Sequence, residues 1–526
     1  GLVYVIPFYA IIGTQGGALY SYAYSIYNMF LNLATSGIPV AMSKVVSEYN
    51  EVGYYNTKER TFKIGLKIIG LLGLISFLVL FIFAPQIAYL IIGDVKGGNS
   101  VEDVTMVIRV ISTAILVVPF LSVSKGYLQG HKIMQVSSVA NILEQIVRVI
   151  VILAGSFLTL KVFHLSLNTA VGVAVFGATV GALFAYFYVY AKIRKSKSLN
   201  RKAKPTLAEV KITNKDLIKR IVFYALPFVA ISVLQSAFVM VDVFTVVRGL
   251  TGIGYTTEIS ENVLSVIATW GSKLNMIVMS ISMGIVMSLI PAIASAYAVK
   301  NYDEVNGKVN QALKTLLFVC VPMATGLCFL SSAVWTVFYG YNELNSSVFK
   351  LLIMSQITLS VCSVMVNASQ SMNNTKQSII ALGGSLIAKV LLNVPMMHLF
   401  NLIGIEAYYA PIALNILIDT SASLYLLYIV KKDTKISYFK TVQTIIKIVL
   451  CTVIMVLVLS ILNMFIPSYS HSRMISILYI VLYGIIGMIT YFFVAYKSKT
   501  IDNVFGKGFV QKVFDNLKKL KKKTVK

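Results

Sequence analysis

A chain of 526 residues with 57% hydrophobic side chains, only 13% charged ones and a mean hydropathy of +0.80 is not a soluble domain. Its apolar runs are continuous rather than alternating, which argues against a β-barrel and for an all-α polytopic membrane protein. The formal charge of +26 sits in the connections between these runs. Sidedness in a membrane therefore accounts for it, and no nucleic-acid partner is expected.

A helix needs roughly 20 apolar residues to cross about 30 Å of hydrocarbon. Helices are predicted near 1–13, 18–47, 63–93, 103–128, 134–160, 168–193, 216–248, 262–299, 308–338, 347–372, 376–399, 404–430, 439–466 and 473–497, about 14 spans in all. The opening run ends near "GTQGG". At about 18 Å it is too short to span, so the chain is expected to begin upstream of Gly1. No cleavable signal peptide is read there, for want of a basic n-region and a small-residue cleavage site. The tail places Phe505, Phe509, Val513, Leu517 and Leu520 about a turn apart among lysines, the pattern of an interfacial helix on anionic lipid.

Lysine and arginine set the orientation. The connections "EYNEVGYYNTKERTFK", "KGYLQGHK", "VKNYDEVNGK" and "KKDTKISYFK", the linker 194–215 and the tail, with adjoining helix ends, carry roughly 37 of the 46 basic residues. These are expected to be cytoplasmic, with both termini on that side. The alternate loops, such as "GDVKGGNSVED" and "IPSYSHSR", carry few.

The chain also repeats itself. "IPVAMSKVVSEYNEVGYYN" returns as "IPAIASAYAVKNYDEVNGK" about 252 residues later, and "IPFYAI" returns as "LPFVAI". "YLQGHKIMQVSSVANILEQIVRVI" pairs with "ASQSMNNTKQSIIALGGSLIAKVLL", which sets Arg148 against Lys389. Two parallel six-helix lobes follow, residues 1–193 and 216–432, joined by the basic linker 194–215. Helices 13 and 14 (433–500) and the tail 501–526 lie outside the repeat. Transporters built this way bind substrate near the bilayer midplane, between the repeats.

Charges inside spans are costly and tend to be paired or functional. Arg148 lies about 21 Å into its helix, and Lys273 and Lys389 sit at similar depth. Glu144 and Asp419 are the acids nearest that level, while Asp242 and Arg109 sit nearer the outer face. Three cations against two anions would make a mildly cationic cavity suited to an anionic head group. Glu144 and Arg148, four residues apart, can equally satisfy each other on one helix face. Lys273 and Lys389 have no acid at helical spacing and could snorkel or pair across helices. Asp242 could cap a helix or pair with Arg248.

His131, His164, His398 and His471 fall at helix ends or loops, which disfavours a histidine proton relay. The cysteines Cys320, Cys328, Cys362 and Cys451 lack metal-site spacing and read as packing residues, so no metal is expected. There is no Walker A loop and no acid–base constellation, so neither a cofactor nor enzymatic catalysis is expected. The loop acids Glu258 and Glu261 are the only modest candidates for catalysis, and they read more simply as solvated residues near a helix start.

The opening "GLVYVIPFYAIIGTQGGALYSYAYSIYNMFLNLATSGIPVAMSKVVSE", the segment "YLQGHKIMQVSSVANILEQIVRV" and Asp242 resemble the SpoVB/YtgP branch of the MurJ-like lipid II flippases, within the multidrug/oligosaccharidyl-lipid/polysaccharide exporter superfamily. The resemblance covers nearly the whole chain. It implies a 14-helix flippase with a central cavity, moving undecaprenyl-pyrophosphate-linked lipid II outward by alternating access for cell-wall synthesis. Basic residues would hold the pyrophosphate, and the last two helices would form a groove for the lipid tail. Carried onto this sequence, Arg148 is the best-matched cation. Lys389 and Lys273 are added from depth and repeat position. Glu144, Asp419 and Asp242 are expected in charge pairing or coupling, and Lys44 with Glu48 in a cytoplasmic gate. The implied partners are the lipid-linked glycan, anionic lipids and cell-wall synthesis enzymes. Val5 stands where the family often has a basic residue, so other cations would have to serve here. The alternatives are export of another prenyl-linked oligosaccharide, such as a capsule or spore precursor, and cation-coupled multidrug export.

Overall fold

The computed structural model describes residues 4–506 except 36, 94–97, 197, 198, 200–208 and 210, together with 508 and 511. Most of the linker 194–215 and of the basic tail, including Phe509, Val513, Leu517 and Leu520, lies outside the described residues. Among the described residues all regular structure is helical. In the first half the helices are α1 (Val5–Thr35), α2 (Ile38–Val52), α3 (Tyr55–Ile82), α4 (Ala84–Ile92), α5 (Val101–Ser112), α6 (Ala114–Gly130), α7 (Met134–Ile150), α8 (Leu167–Lys195) and α9 (Asn214–Ile253). There follow α10 (Thr257–Ser265), α11 (Gly271–Ala298), α12 (Tyr302–Phe329), α13 (Ser331–Tyr339), α14 (Glu343–Ser371), α15 (Thr375–Leu402), α16 (Ala410–Thr434), α17 (Phe439–Phe465), α18 (Arg473–Lys497) and α19 (Thr500–Phe505). Twelve helices among the described residues are long and apolar enough to cross a membrane.

From the third predicted span onward, the span boundaries follow the structure to within about eight residues, but 63–93, 103–128 and 308–338 are each broken into two helices, at Phe83, Thr113 and Leu330. The first two differ. The break expected near "GTQGG" is only a kink at Gly13, inside the continuous α1. The real break is at Gly37 (φ 79°), followed by Pro39 in the first turn of α2. Gly37 is required twice over: its φ is left-handed, and a Cβ there would sit 2.5 Å from the Ala225 carbonyl of α9.

Capping chemistry sets other starts. Ser100 and Asp103 form a reciprocal capping box at α5, and Thr213 with Asp216 forms another at α9. Two helices predicted as uniform are not. α7 continues through π-helical turns at Val151–Gly155 and Leu158–Val162, and another at Val266–Trp270 joins α10 to α11. Such turns recur near functional positions.

The chain groups into two compact units: Gly1–Trp270 with Val390–Tyr408, and Gly271–Lys389 with Tyr409–Lys526. In the first, α9 and α10 pack on α1, and α9 also packs on α2 and α4. Ile38, Met42, Leu121, Ala182, Val189 and Ile221 form part of its core. In the second, α12, α14 and α16 pack together, and Tyr491 of α18 donates to the Phe318 carbonyl at 2.8 Å. Outward faces such as Leu71, Leu74, Leu78 and Ile82 of α3 remain apolar and exposed, as a lipid-facing surface requires.

Candidate functional site

In the first unit the structure brings Glu144 and Arg148 together and adds a residue that sequence reasoning missed. Arg148 is at the midpoint of the 29-residue span Met134–Val162. Its guanidinium donates to Glu144 Oε1 at 2.6 Å. The other carboxylate oxygen, Oε2, meets the Lys125 ammonium at 3.2 Å. Lys125 also donates to Asn141 Oδ1 at 2.6 Å. The three charged side chains are 16%, 13% and 14% exposed for Lys125, Glu144 and Arg148 respectively. One carboxylate therefore serves two cations in a largely desolvated place, leaving a net positive charge. Isolated charges there would be costly, and mutual pairing makes them tolerable.

Two features of the neighbouring helices hold this cluster. Gly177 and Gly181 of α8 face α7, where a Cβ at 177 would lie 3.1 Å from the Arg148 carbonyl and one at 181 only 2.6 Å from the Glu144 carbonyl. Small residues let membrane helices approach this closely. On another side, Tyr20, Tyr24 and Tyr27 of α1 lie within electrostatic reach of the guanidinium. Tyr20 stacks on Tyr24 and on Trp270, so the surroundings of Arg148 are aromatic and polar rather than aliphatic. The Arg148 Nε and the Tyr27 hydroxyl are buried with no hydrogen-bond partner.

Asp242, also in the first unit, is buried and accepts from Asn393 Nδ2 at 3.1 Å, and the same amide reaches Thr245 at 2.6 Å. Arg248 does not take Asp242: it donates to the Tyr89 carbonyl and lies over the Tyr89 ring. Arg109 donates to the Phe81 carbonyl at 3.3 Å.

Lys44 and Glu48 on α2 both engage α9. The Lys44 ammonium lies 4.0 Å over the Tyr224 ring, and Glu48 pairs with Arg220 at 2.6 Å. A cavity of about 450 Å³ opens beside them, lined by Ser43, Lys44, Ser47, Glu48, Glu51 and Gln129.

Glu258 is exposed as expected, but Glu261 is not a solvated acid. It is 3% exposed and accepts from the Asn99 backbone at 3.3 Å and from the Asn99 side chain at 3.2 Å. Asn99 Nδ2 also reaches the Gln15 carbonyl, and Trp270 donates to Gly17 at 3.1 Å. Glu261 thus ties the 98–100 loop to α1 and α10. No local pattern reveals this, because its partner is 162 residues away in sequence.

The second unit holds the other candidates. Lys389 is fully buried, donating to Asn415 Oδ1 at 2.6 Å and to the Pro411 carbonyl at 3.1 Å. Asp419, one turn beyond Asn415, is within electrostatic reach. These bonds of Lys389 fasten α15 to α16. Lys273 opens α11 and is partly buried. The structure thus places Arg148 and Glu144 in one group and Lys389 and Asp419 in another. A further cavity of about 480 Å³, bordered by α12, α14 and α17, is almost wholly apolar, with Val321, Met354, Ile357, Val449 and Val453 in its wall.

Residues 1–297 match the family model described as polysaccharide biosynthesis protein. The chain is 32% identical over 527 residues to the lipid II flippase MurJ of Bacillus subtilis (strain 168), covering 97% of this chain and 95% of that one. The chain belongs to the MurJ-like flippases of the polysaccharide biosynthesis family. A second Bacillus subtilis relative, stage V sporulation protein B, is 23% identical over 58% of this chain and 57% of its own. Among solved structures, a lipid II flippase MurJ in an inward closed conformation aligns with a TM-score of 0.62 at 16% identity, covering 94% of this chain and 98% of that one. An inward-facing multidrug resistance MATE family transporter aligns with a TM-score of 0.65 at 14% identity, over 82% and 94%. These MurJ-like flippases therefore share an all-helical membrane fold with the MATE transporters.

Proposed function

We propose that this chain is a lipid II flippase of the bacterial plasma membrane, with both termini cytoplasmic, that carries the undecaprenyl-pyrophosphate-linked peptidoglycan precursor outward by alternating access. The observation that carries the reading is the cluster of Lys125, Glu144 and Arg148 within the membrane spans, two cations on one carboxylate, with Arg148 at mid-span. A diphosphate with sugars cannot cross hydrocarbon unaided. Charge-assisted hydrogen bonds from an arginine and a lysine can replace its water. The apolar cavity beside α17 suits a prenyl chain, and the polar cavity at Lys44 and Glu48 suits a cytoplasmic entrance whose gate is the Glu48–Arg220 pair. The near-full-length likeness to a lipid II flippase points the same way. Transport then rests on two six-helix repeats, 1–193 and 216–432, alternating their exposure without covalent chemistry. Lys389 and Asp419 position helices, while Lys273 remains a candidate second contact. Anionic lipids would hold the basic tail, and cell-wall synthesis enzymes would draw off the product.

The test is lipid II translocation in cells depleted of their own flippase. Wild type is compared with Arg148→Ala, Lys125→Ala, Lys273→Ala and Lys389→Ala at matched expression. Wild type should rescue, and the Arg148 and Lys125 variants should not. Failure of the wild type would make lipid II the wrong cargo and leave another prenyl-linked glycan. Rescue by every variant would reduce the cluster to packing.

A further inference from the structure

We infer that Glu144 is the resident anion of the head-group site: it occupies Lys125 and Arg148 while the site is empty and competes with the incoming phosphates, so that the cargo binds weakly enough to leave. The inference rests on the function proposed above and concerns how that site releases what it binds.

The geometry distinguishes Glu144 from an ordinary structural ion pair. Its two oxygens are divided between two helices, Oε1 to Arg148 of α7 and Oε2 to Lys125 of α6. Each cation receives a single carboxylate oxygen, although a guanidinium has five N–H donors and an ammonium three. Arg148 keeps its Nε buried and unpartnered, and the Tyr27 hydroxyl is in the same condition. A buried donor without a partner is costly, and here two such groups lie beside a cluster that carries a net positive charge. The spare donors are what a larger, more highly charged acceptor would use.

The charge count agrees. With Glu144 in place the two cations hold a net charge of one. With its side chain swung away they hold two, matching the two negative charges of a pyrophosphate diester. The α7 backbone at Glu144 is pressed against Gly181, so the proposed exchange falls to the Glu144 side chain and not to the helix. A competitor within the site lowers apparent affinity by the fraction of time that the cations are already taken. Without it, the arginine and lysine would hold a diphosphate in a low-dielectric place, and release would become the slow step.

The experiment uses the full chain in lipid nanodiscs for binding and in vesicles for flipping, with lipid II as the probe and undecaprenyl pyrophosphate as the sugar-free control. Glu144→Gln should bind lipid II at least about tenfold tighter than wild type and flip it more slowly at saturating lipid. Lys125→Met should bind more weakly, and adding Glu144→Gln to Lys125→Met should recover affinity. That last comparison serves if the single glutamine variant fails to fold with two unpaired cations. Unchanged or weaker binding by Glu144→Gln, or no recovery in the double variant, overturns the inference while leaving the flippase reading intact. If wild type binds undecaprenyl pyrophosphate but not lipid II, the resident-anion role stands for another prenyl-linked cargo. Binding of neither by wild type overturns both readings.

Discussion

Replacing Gly181 by alanine tests whether the close contact of α8 with α7 positions the charged cluster. Two effects oppose each other. Alanine is favoured over glycine inside a helix by about 1 kcal/mol. The added Cβ, however, would stand 2.6 Å from the Glu144 carbonyl oxygen, 3.2 Å from Arg148 Cβ and 3.4 Å from the Arg148 amide nitrogen. The first neighbour is backbone and cannot rotate away, so α7 must retreat by about 0.8 Å to reach ordinary contact. Overpacking of this kind costs about 1–3 kcal/mol, so the clash should outweigh the propensity gain and leave a net loss of about 1 kcal/mol. The turn that retreats carries Glu144 and Arg148, so lipid II flipping should fall as well. Gly383 of α15 is the control, because a Cβ there meets nothing within 4 Å. Gly383→Ala should be neutral or stabilising by up to about 1 kcal/mol. Thermal unfolding of the detergent-solubilised proteins, followed by size-exclusion chromatography, gives the stabilities, and the depletion-rescue assay gives the activity. Equal stability for the two variants, with flipping intact in Gly181→Ala, would refute the claim that close packing at Gly181 sets the cluster.

Four further outcomes are expected. Glu261→Ala removes the acceptor of the Asn99 amide and should cost about 1–3 kcal/mol of local stability, read as faster amide hydrogen exchange at 98–100; unchanged protection would mean that Glu261 does not hold that loop. Thr213→Ala deletes the capping box of α9 and should lower stability by about 1 kcal/mol in thermal unfolding. Burial at the end of α6 pushes the His131 imidazole below its ordinary pKa, its bond to the Tyr127 carbonyl opposing and Lys58 adding to the fall. The unfolded chain then binds the proton more readily, so stability should be held above about pH 6.5 and lost as pH drops below it; His131→Gln should flatten that part of the profile. Lys389→Ala strands Asn415 and Asp419 inside the second unit and should lower its stability more than Lys273→Ala lowers it, as measured by unfolding midpoints.

Helix positions were legible because each needs a run of apolar residues long enough to cross hydrocarbon, and α18 falls on the predicted residues 473–497. The early helices escaped because glycine alone does not mark a break. Gly13 kinks α1 without ending it, whereas Gly37 ends it where α9 crosses at the Ala225 carbonyl. The i,i+4 pair Glu144–Arg148 could be read from spacing. Lys125 could not, because it reaches Glu144 from the helix before, across 19 residues. Lys389 shows the converse failure. It does lie mid-span, yet depth does not tell whether a lysine faces a cavity or a neighbouring helix, and its bonds to Asn415 and the Pro411 carbonyl could not be read from the sequence. The two cations that the sequence pattern aligns stand in different environments: Arg148 shares a carboxylate and keeps an unpartnered Nε, while the Lys389 ammonium is fastened between two helices. A duplicated scaffold needs its charge at only one of the two positions to hold an anion. With two of its donors already taken by Asn415 and the Pro411 carbonyl, the Lys389 ammonium has less to offer an anion than Arg148, so the proposed head-group site falls in the half that also carries Glu144.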